Sequence, residues 1–190
     1  MSRSTDPRVL RSRATVLTSA LALLAERGIA GTTIEAIAEH SGVAKTTIYR
    51  QWDSQAALIL DAFDSVLALP EDPATGDLRS DLLQLLTGFA DALRTSPATG
   101  LMFALIDAAE RDPAFAALHR RQAETRHRLI LDVITRGIEK GELPADADPD
   151  ELLDLLAGPV FHRRAVSGGR LDAAFAERVV DCVIAAYRTT

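Results

Sequence analysis

Lys45, Thr46, Thr47, Tyr49 and Arg50 bring an ammonium, a guanidinium, two aliphatic hydroxyls and a phenol into one short stretch. Side chains of these types donate to phosphate oxygens, reach the edges of bases and press a methyl group against thymine. The chemistry they predict is recognition of double-stranded DNA. Bond-making chemistry finds no comparable pattern, because the chain has no G-x-S-x-G elbow, no P-loop and no G-x-G-x-x-G after a strand. His40, His119, His127 and His162 are scattered, and a single cysteine leaves no Cys-His cluster at metal-ligand spacing. No enzyme activity, cofactor or metal is expected.

Residues that touch DNA must be held on a rigid element, and the spacing around them supplies one. Ile34, Ile37 and Ala38 form an apolar helical face, Ser41-Gly42 breaks the run, and Val43 and Ile48 resume it. Two short helices therefore meet at a tight turn, with Ala38 small at their crossing and Gly42 where the turn needs a backbone angle costly for other residues. Thr32 or Thr33 can cap the first of them. Upstream, Leu10, Ala14, Leu17, Leu21 and Leu24 predict a supporting helix over residues 11–27, closed by Gly28. A three-helix head results.

Charge divides the same way. The chain of 190 residues carries a net charge of -6, yet up to Asp53 there are seven basic residues against five acidic, which leaves the remainder at -8. A basic head on an acidic body orients the protein on phosphate. Arg3, Arg8, Arg11 and Arg13 crowd the amino end, where a flexible arm could reach phosphates or the minor groove.

Beyond the head the chain reads as helix after helix, without strand alternation. Residues 54–69, with Ala56, Leu60, Phe63 and Leu67, predict a connector stopped by Pro70-Glu71-Asp72-Pro73. Further helices follow from Leu78, over 99–109, from Pro113 towards Gly141, over 149–166 and over 171–188. The last two carry apolar faces broader than one core contact needs, which marks an oligomer interface, and Leu152, Leu156, Val160, Phe175, Val179 and Val183 are its expected residues. Cys182 lies in the same apolar stretch and is expected to be buried packing. No run approaches the roughly 18 apolar residues of a membrane span, so no membrane partner and a cytoplasmic location are expected.

The run ALALLAERGIAGTTIEAIAEHSGVAKTTIYRQWDSQAAL resembles the DNA-binding domain of the tetracycline repressor (TetR) family, most specifically at Gly28-Ile29-Ala30-Gly31-Thr32-Thr33, Ser41-Gly42-Val43 and Thr47-Ile48-Tyr49-Arg50-Gln51-Trp52. A weaker likeness to a carboxyl-terminal domain of that family runs through Asp81-Leu82-Leu83 and Leu156 to Arg163. The resemblance implies an all-α homodimer with a helix-turn-helix head and a helical-bundle regulatory body, about nine helices in all. It implies residues 1–53 as arm and DNA-binding domain and 54–190 as ligand-binding and dimerisation domain. It also implies a repressor released from a pseudo-palindromic operator by a small apolar or amphipathic ligand. The rival readings are a constitutive or ligand-activated regulator, and a binding protein or enzyme that has lost DNA binding.

Two departures from the family pattern stand out. Gln55 replaces the usual lysine at the start of the fourth helix, and it can donate to phosphate without bringing charge. Trp52 replaces the commoner Phe and is expected to plug the head core against that helix. With Thr33 and Gln55 added, the expected DNA contacts are Thr33, Lys45, Thr46, Thr47, Tyr49, Arg50 and Gln55. The body fold implies a ligand cavity, for which the candidates are Phe63, Leu86, Phe89, Met102, Phe103, Ile106, His127, Ile130 and Phe161.

Overall fold

A computed structural model describes residues 7–66, 70–96 and 98–188. Its described residues form nine α-helices and one turn of π-helix, with no strand. Arg3, and residues 67–69 of the expected connector, lie outside the described residues. The chain divides into two compact units, Met1–Ala68 with Gly100–Gln122, and Leu69–Thr99 with Ala123–Thr190.

In the first unit, α1 (Pro7–Arg27) packs against α2 (Ile34–Ser41) and α4 (Gln55–Val66), while α2 packs against α3 (Lys45–Gln51). Helix α1 ends as its glycine signal predicts. Gly28 takes φ 66° and its N–H donates to the Leu24 carbonyl at 3.0 Å. Thr33 is the cap of α2, its hydroxyl oxygen accepting from the Ala36 N–H at 3.1 Å. Thr32 is fully buried and donates to the Gly28 carbonyl at 2.7 Å, which closes the loop between the two helices.

The buried face of α1 differs from the leucine stripe. Val16, Ser19, Ala20, Leu23 and Leu24 are buried, whereas Leu10 is 51% exposed and Ala14 is exposed. Both α2 and α4 pack on α1, and its buried face includes the small residues Ser19 and Ala20. Leucine spacing does not register those two positions. Arg8, Arg11 and Arg13 are likewise corrected, since all three lie on α1 and not on a flexible arm.

Helix α4 is a core element of the first unit. Leu58 and Ala62 join Val16, Ile34, Ile37, Ile48 and Trp52 in one apolar cluster, and Ile59 and Phe63 join Leu24, Leu105, Phe115 and Leu118 in a second. Ala56 and Leu60, placed on the stripe by sequence, are only half-buried. Apart from Gln55 and the strip of Asp61, Asp64 and Ser65 the helix is apolar, so several apolar positions compete for its inner face. The second cluster draws on α6 (Ala98–Ala109) and on the first part of α7 (Pro113–Glu139).

The second unit is built from α5 (Leu78–Thr95), the rest of α7, α8 (Pro149–His162) and α9 (Ala173–Arg188). Helix α9 packs on α5 and α8. Asp77 and Asp148 cap α5 and α8 through N–H groups of Ser80 and Asp150. After α8, the π-helical turn Arg163–Ser167 ends at Gly168 with φ 64°, so Gly168-Gly169 lies in a turn between helices.

Bidentate pairs tie the outside of this unit. Arg79 on α5 holds Asp181 of α9 at 2.6 and 3.1 Å, and Arg136 on α7 holds Asp72 at 2.8 and 2.9 Å. Hydrogen bonds from the guanidinium groups hold both carboxyls below their ordinary range. Stability from these pairs is therefore present above the unfolded carboxylate value of about 3.9 and is lost as pH falls through the lower folded values. The Asp72→Asn/Asp181→Asn variant should melt below wild type at pH 7, and the difference should close in thermal melts taken towards pH 3. A gap unchanged across that range would contradict the assignment.

No helix among the described residues is long and apolar enough to cross a membrane.

Candidate nucleic-acid interface

Helix α3 is seven residues long, and Ile48 is its one buried residue, fully enclosed. That side chain inserts into the cluster of Ile34, Ile37 and Trp52 and so sets the roll of the helix. Lys45, Thr46, Tyr49 and Arg50 are then exposed, and Thr47 is half-buried at the margin. Tyr49, at 52% exposure, is the prominent aromatic of this face. The turn before α3 needs Gly42, whose φ of 68° an L side chain would strain. Ser41 supports it, its hydroxyl oxygen accepting from the Val43 N–H at 3.2 Å.

The face carries a charge pair that sequence did not suggest. Lys45 Nζ lies 3.0 Å from Glu35 Oε1, and that hydrogen bond holds the Glu35 carboxyl below its usual range. Both side chains are more than half exposed, so a phosphate can compete for the ammonium at small cost. Glu35 follows the cap of α2, and its partner lies ten residues on across the turn. Separation of that kind carries no helical spacing signal.

Thr33 and Gln55 stand differently from the other expected contacts. The Thr33 oxygen is engaged in capping, which leaves its hydroxyl hydrogen as donor. The Gln55 amide donates to the Ile29 carbonyl at 3.4 Å, fastening the start of α4 to the loop after α1. Gln55 thus has a structural bond that its place in the sequence did not suggest.

Trp52 occupies the expected plug position at 4% exposure, and its indole makes further bonds. Nε1 donates to Asp61 Oδ2 at 2.9 Å, and the Arg13 guanidinium lies 5.1 Å from the ring centroid. Arg13 also forms an ion pair with Asp61. The end of α3, the middle of α4 and the first half of α1 therefore meet at one carboxylate. Sequence reasoning missed Asp61 because nothing local links it to Arg13.

The nine ligand candidates do not gather in one compact unit. Phe63, Met102, Phe103 and Ile106 belong to the first, and Leu86, Phe89, His127, Ile130 and Phe161 to the second. Phe63 and Leu86, each 2% exposed, are core residues, and His127 is exposed. Phe89, Met102, Phe103, Ile106, Ile130 and Phe161 are half-buried. Among the described residues no group of three or more histidine, cysteine or carboxylate side chains could hold a metal.

The expected oligomer face needs correction. Leu152, Leu156 and Val160 are 1%, 0% and 0% exposed, and Val179 and Val183 are 7% each, so the unit's own core takes them. Phe175 is half-buried with the Arg163 guanidinium 3.8 Å from its ring centroid. The apolar outward side of α8 and its π-turn holds instead Leu155 at 43%, Pro159, and Val166 at 72%. Cys182 is exposed on α9, contrary to expectation. Both helices are apolar on more than one side, and packing on α5 consumes the longest stripe.

Residues 16–62 match the model of bacterial regulatory proteins, tetR family, and residues 72–183 match that of the tetracyclin repressor-like C-terminal domain. The chain is similar to the HTH-type transcriptional regulator YdeS of Bacillus subtilis, with 32% identity over 96% of this chain and 91% of that protein. It is similar to the DNA-binding transcriptional repressor TetR of Mycobacteroides abscessus, with 32% identity over 90% of each. A solved TetR family transcription regulator, SCO0332, aligns with a TM-score of 0.70 and 34% identity, over 92% of this chain and 97% of that one.

Proposed function

This chain belongs to the TetR family of DNA-binding transcriptional regulators, and from that membership we propose that it acts as a homodimeric repressor released from a pseudo-palindromic operator by a small ligand. The observation that carries the reading is the division of α3, with Ile48 enclosed and Lys45, Thr46, Tyr49 and Arg50 exposed around it. Lys45, Tyr49 and Arg50 are assigned to phosphates, Thr46 and Thr47 to base edges, and Thr33 and Gln55 to the flanks. Residues 1–53 form the reading domain and 54–190 the ligand-binding and dimerisation domain, with 54–69 as connector.

Two copies join through the outward side of α8 and α9, supported by the exposure of Leu155, Pro159 and Val166. Two heads about 34–36 Å apart then enter successive major grooves. The ligand is apolar or amphipathic, an assignment supported by half-buried Phe89, Ile130 and Phe161 in the second unit. It acts by preferring a body conformation that shifts α4 and moves the heads out of register. The site of action is the cytoplasm, where the DNA partner lies, and no catalytic step is assigned.

A gel shift on the fragment upstream of its own gene, with and without apolar ligands, tests the reading. Lys45→Ala should weaken binding to every retarded sequence and flatten the slope of log affinity against log salt by about 0.9 for each phosphate the variant no longer neutralises. Thr46→Ala should change sequence preference and leave that slope alone. No retarded band on any genomic fragment, or no effect of Lys45→Ala, would remove the assignment.

A further inference from the structure

The indole N–H is what Trp52 has and a phenylalanine lacks, and the fold supplies its partner. Asp61 Oδ2 accepts from Nε1 at 2.9 Å, and the same carboxylate pairs with Arg13, whose guanidinium lies over the Trp52 ring. The Asp61 side chain is 22% exposed and that of Arg13 32%, so both interactions are partly shielded from water. Trp52 terminates α3, its N–H donating to the Ile48 carbonyl at 3.0 Å. A displacement of α4 at Asp61 is therefore felt one residue beyond the DNA-facing helix.

We propose that Asp61 is a positioning residue for DNA binding, through which α4 and α1 set the orientation of α3 by way of Trp52 and Arg13. The proposal rests on α3 being the DNA-contacting helix, and it names the groups by which a shift of α4 reaches that helix. Asp61 touches no DNA in this scheme. It holds the indole by a charge-assisted hydrogen bond and the guanidinium by an ion pair. Arg13, tied between them, is a strut of the head and not a phosphate ligand.

The sign of a substitution separates this role from plain electrostatics. Asp61→Ala removes a negative charge from the head, and by its field alone that change would tighten binding to a polyanion. Positioning requires the opposite. Asp61→Ala should weaken binding about tenfold, the order expected from losing one charge-assisted hydrogen bond, with an unchanged salt slope because every phosphate ligand is still in place. Trp52→Phe, which keeps a ring in the core but removes the N–H, should also weaken binding. The double variant should lose less than the sum of the two single losses, since both changes break the same indole–carboxylate bond.

The experiment measures affinity and salt slope for wild type, Asp61→Ala, Trp52→Phe and the double variant on a fragment that the wild type retards. Trp52 is the single tryptophan of the chain, so acrylamide quenching of its fluorescence reports the packing of the cluster directly. Quenching should rise in Asp61→Ala, and near-unchanged melting would show that the fold persists. Equal or tighter binding by Asp61→Ala, additive losses in the double variant, or unchanged quenching would each overturn the proposal. If the wild type retards no fragment, the DNA reading of α3 fails by itself, and quenching still decides whether Asp61 holds Trp52.

Discussion

Leu155→Arg is expected to give a folded monomer whose operator affinity falls by about 10²–10⁴-fold. That range is what a tethered second binding event contributes through effective concentration, and a monomer forgoes it. Leu155 is 43% exposed on α8, so its removal opens no cavity in the unit's core. An arginine there stands four residues after Glu151, an arrangement that supports a helix. In a dimer, the charge would be pressed into the outward faces of two copies and stripped of water, which costs more than the apolar contact it replaces returns. Added positive charge would by itself favour DNA, so a fall in affinity isolates the absence of the second head. Sedimentation and gel shift on one preparation decide the matter. A Leu155→Arg protein that stays dimeric at wild-type affinity would exclude this face as the contact. Leu156→Arg, one residue on at 0% exposure, should instead unfold the body.

Ile48→Ala is expected to cost the head about 2–5 kcal/mol and to abolish operator retention. An isolated helix shorter than about 12–15 residues is marginal in water, so the seven residues of α3 are helical because they are packed. Ile48 is the one buried side chain that packs them. Truncating it leaves a cavity among Ile37, Trp52 and Val16 and frees α3 to roll or fray. Lys45, Thr46, Tyr49 and Arg50 would remain, but no longer in a fixed geometry. Thermal melts measure the loss of stability, and gel shift measures the loss of retention. Wild-type binding by Ile48→Ala would mean that something other than Ile48 sets the face of α3.

Those two residues show which inferences a linear chain supports. Ile48 was legible because its inner position follows from Ile34, Ile37 and the Gly42 break within fifteen residues. Leu155 was not, because Leu152, Leu153, Leu155 and Leu156 are alike in polarity. Only the packing of α8 and α9 with α5 decides which of them is left outside. The same limit explains Cys182, apolar in its surroundings yet on the outward side of α9.

By itself the sequence determined the helices, the turn and caps that bound the reading motif, the basic head on an acidic body, and the outward donors of α3. Each depends on backbone preferences and side-chain periodicity acting over a few residues. Tertiary structure alone decided the inner face of α1, the use of α4 in two core clusters, the burial of the leucines first assigned to an oligomer contact, and the meeting of Arg13, Trp52 and Asp61. These depend on which distant segments approach one another. Arg13 and Asp61 lie on different helices, and their contact exists only because α1 and α4 are packed side by side.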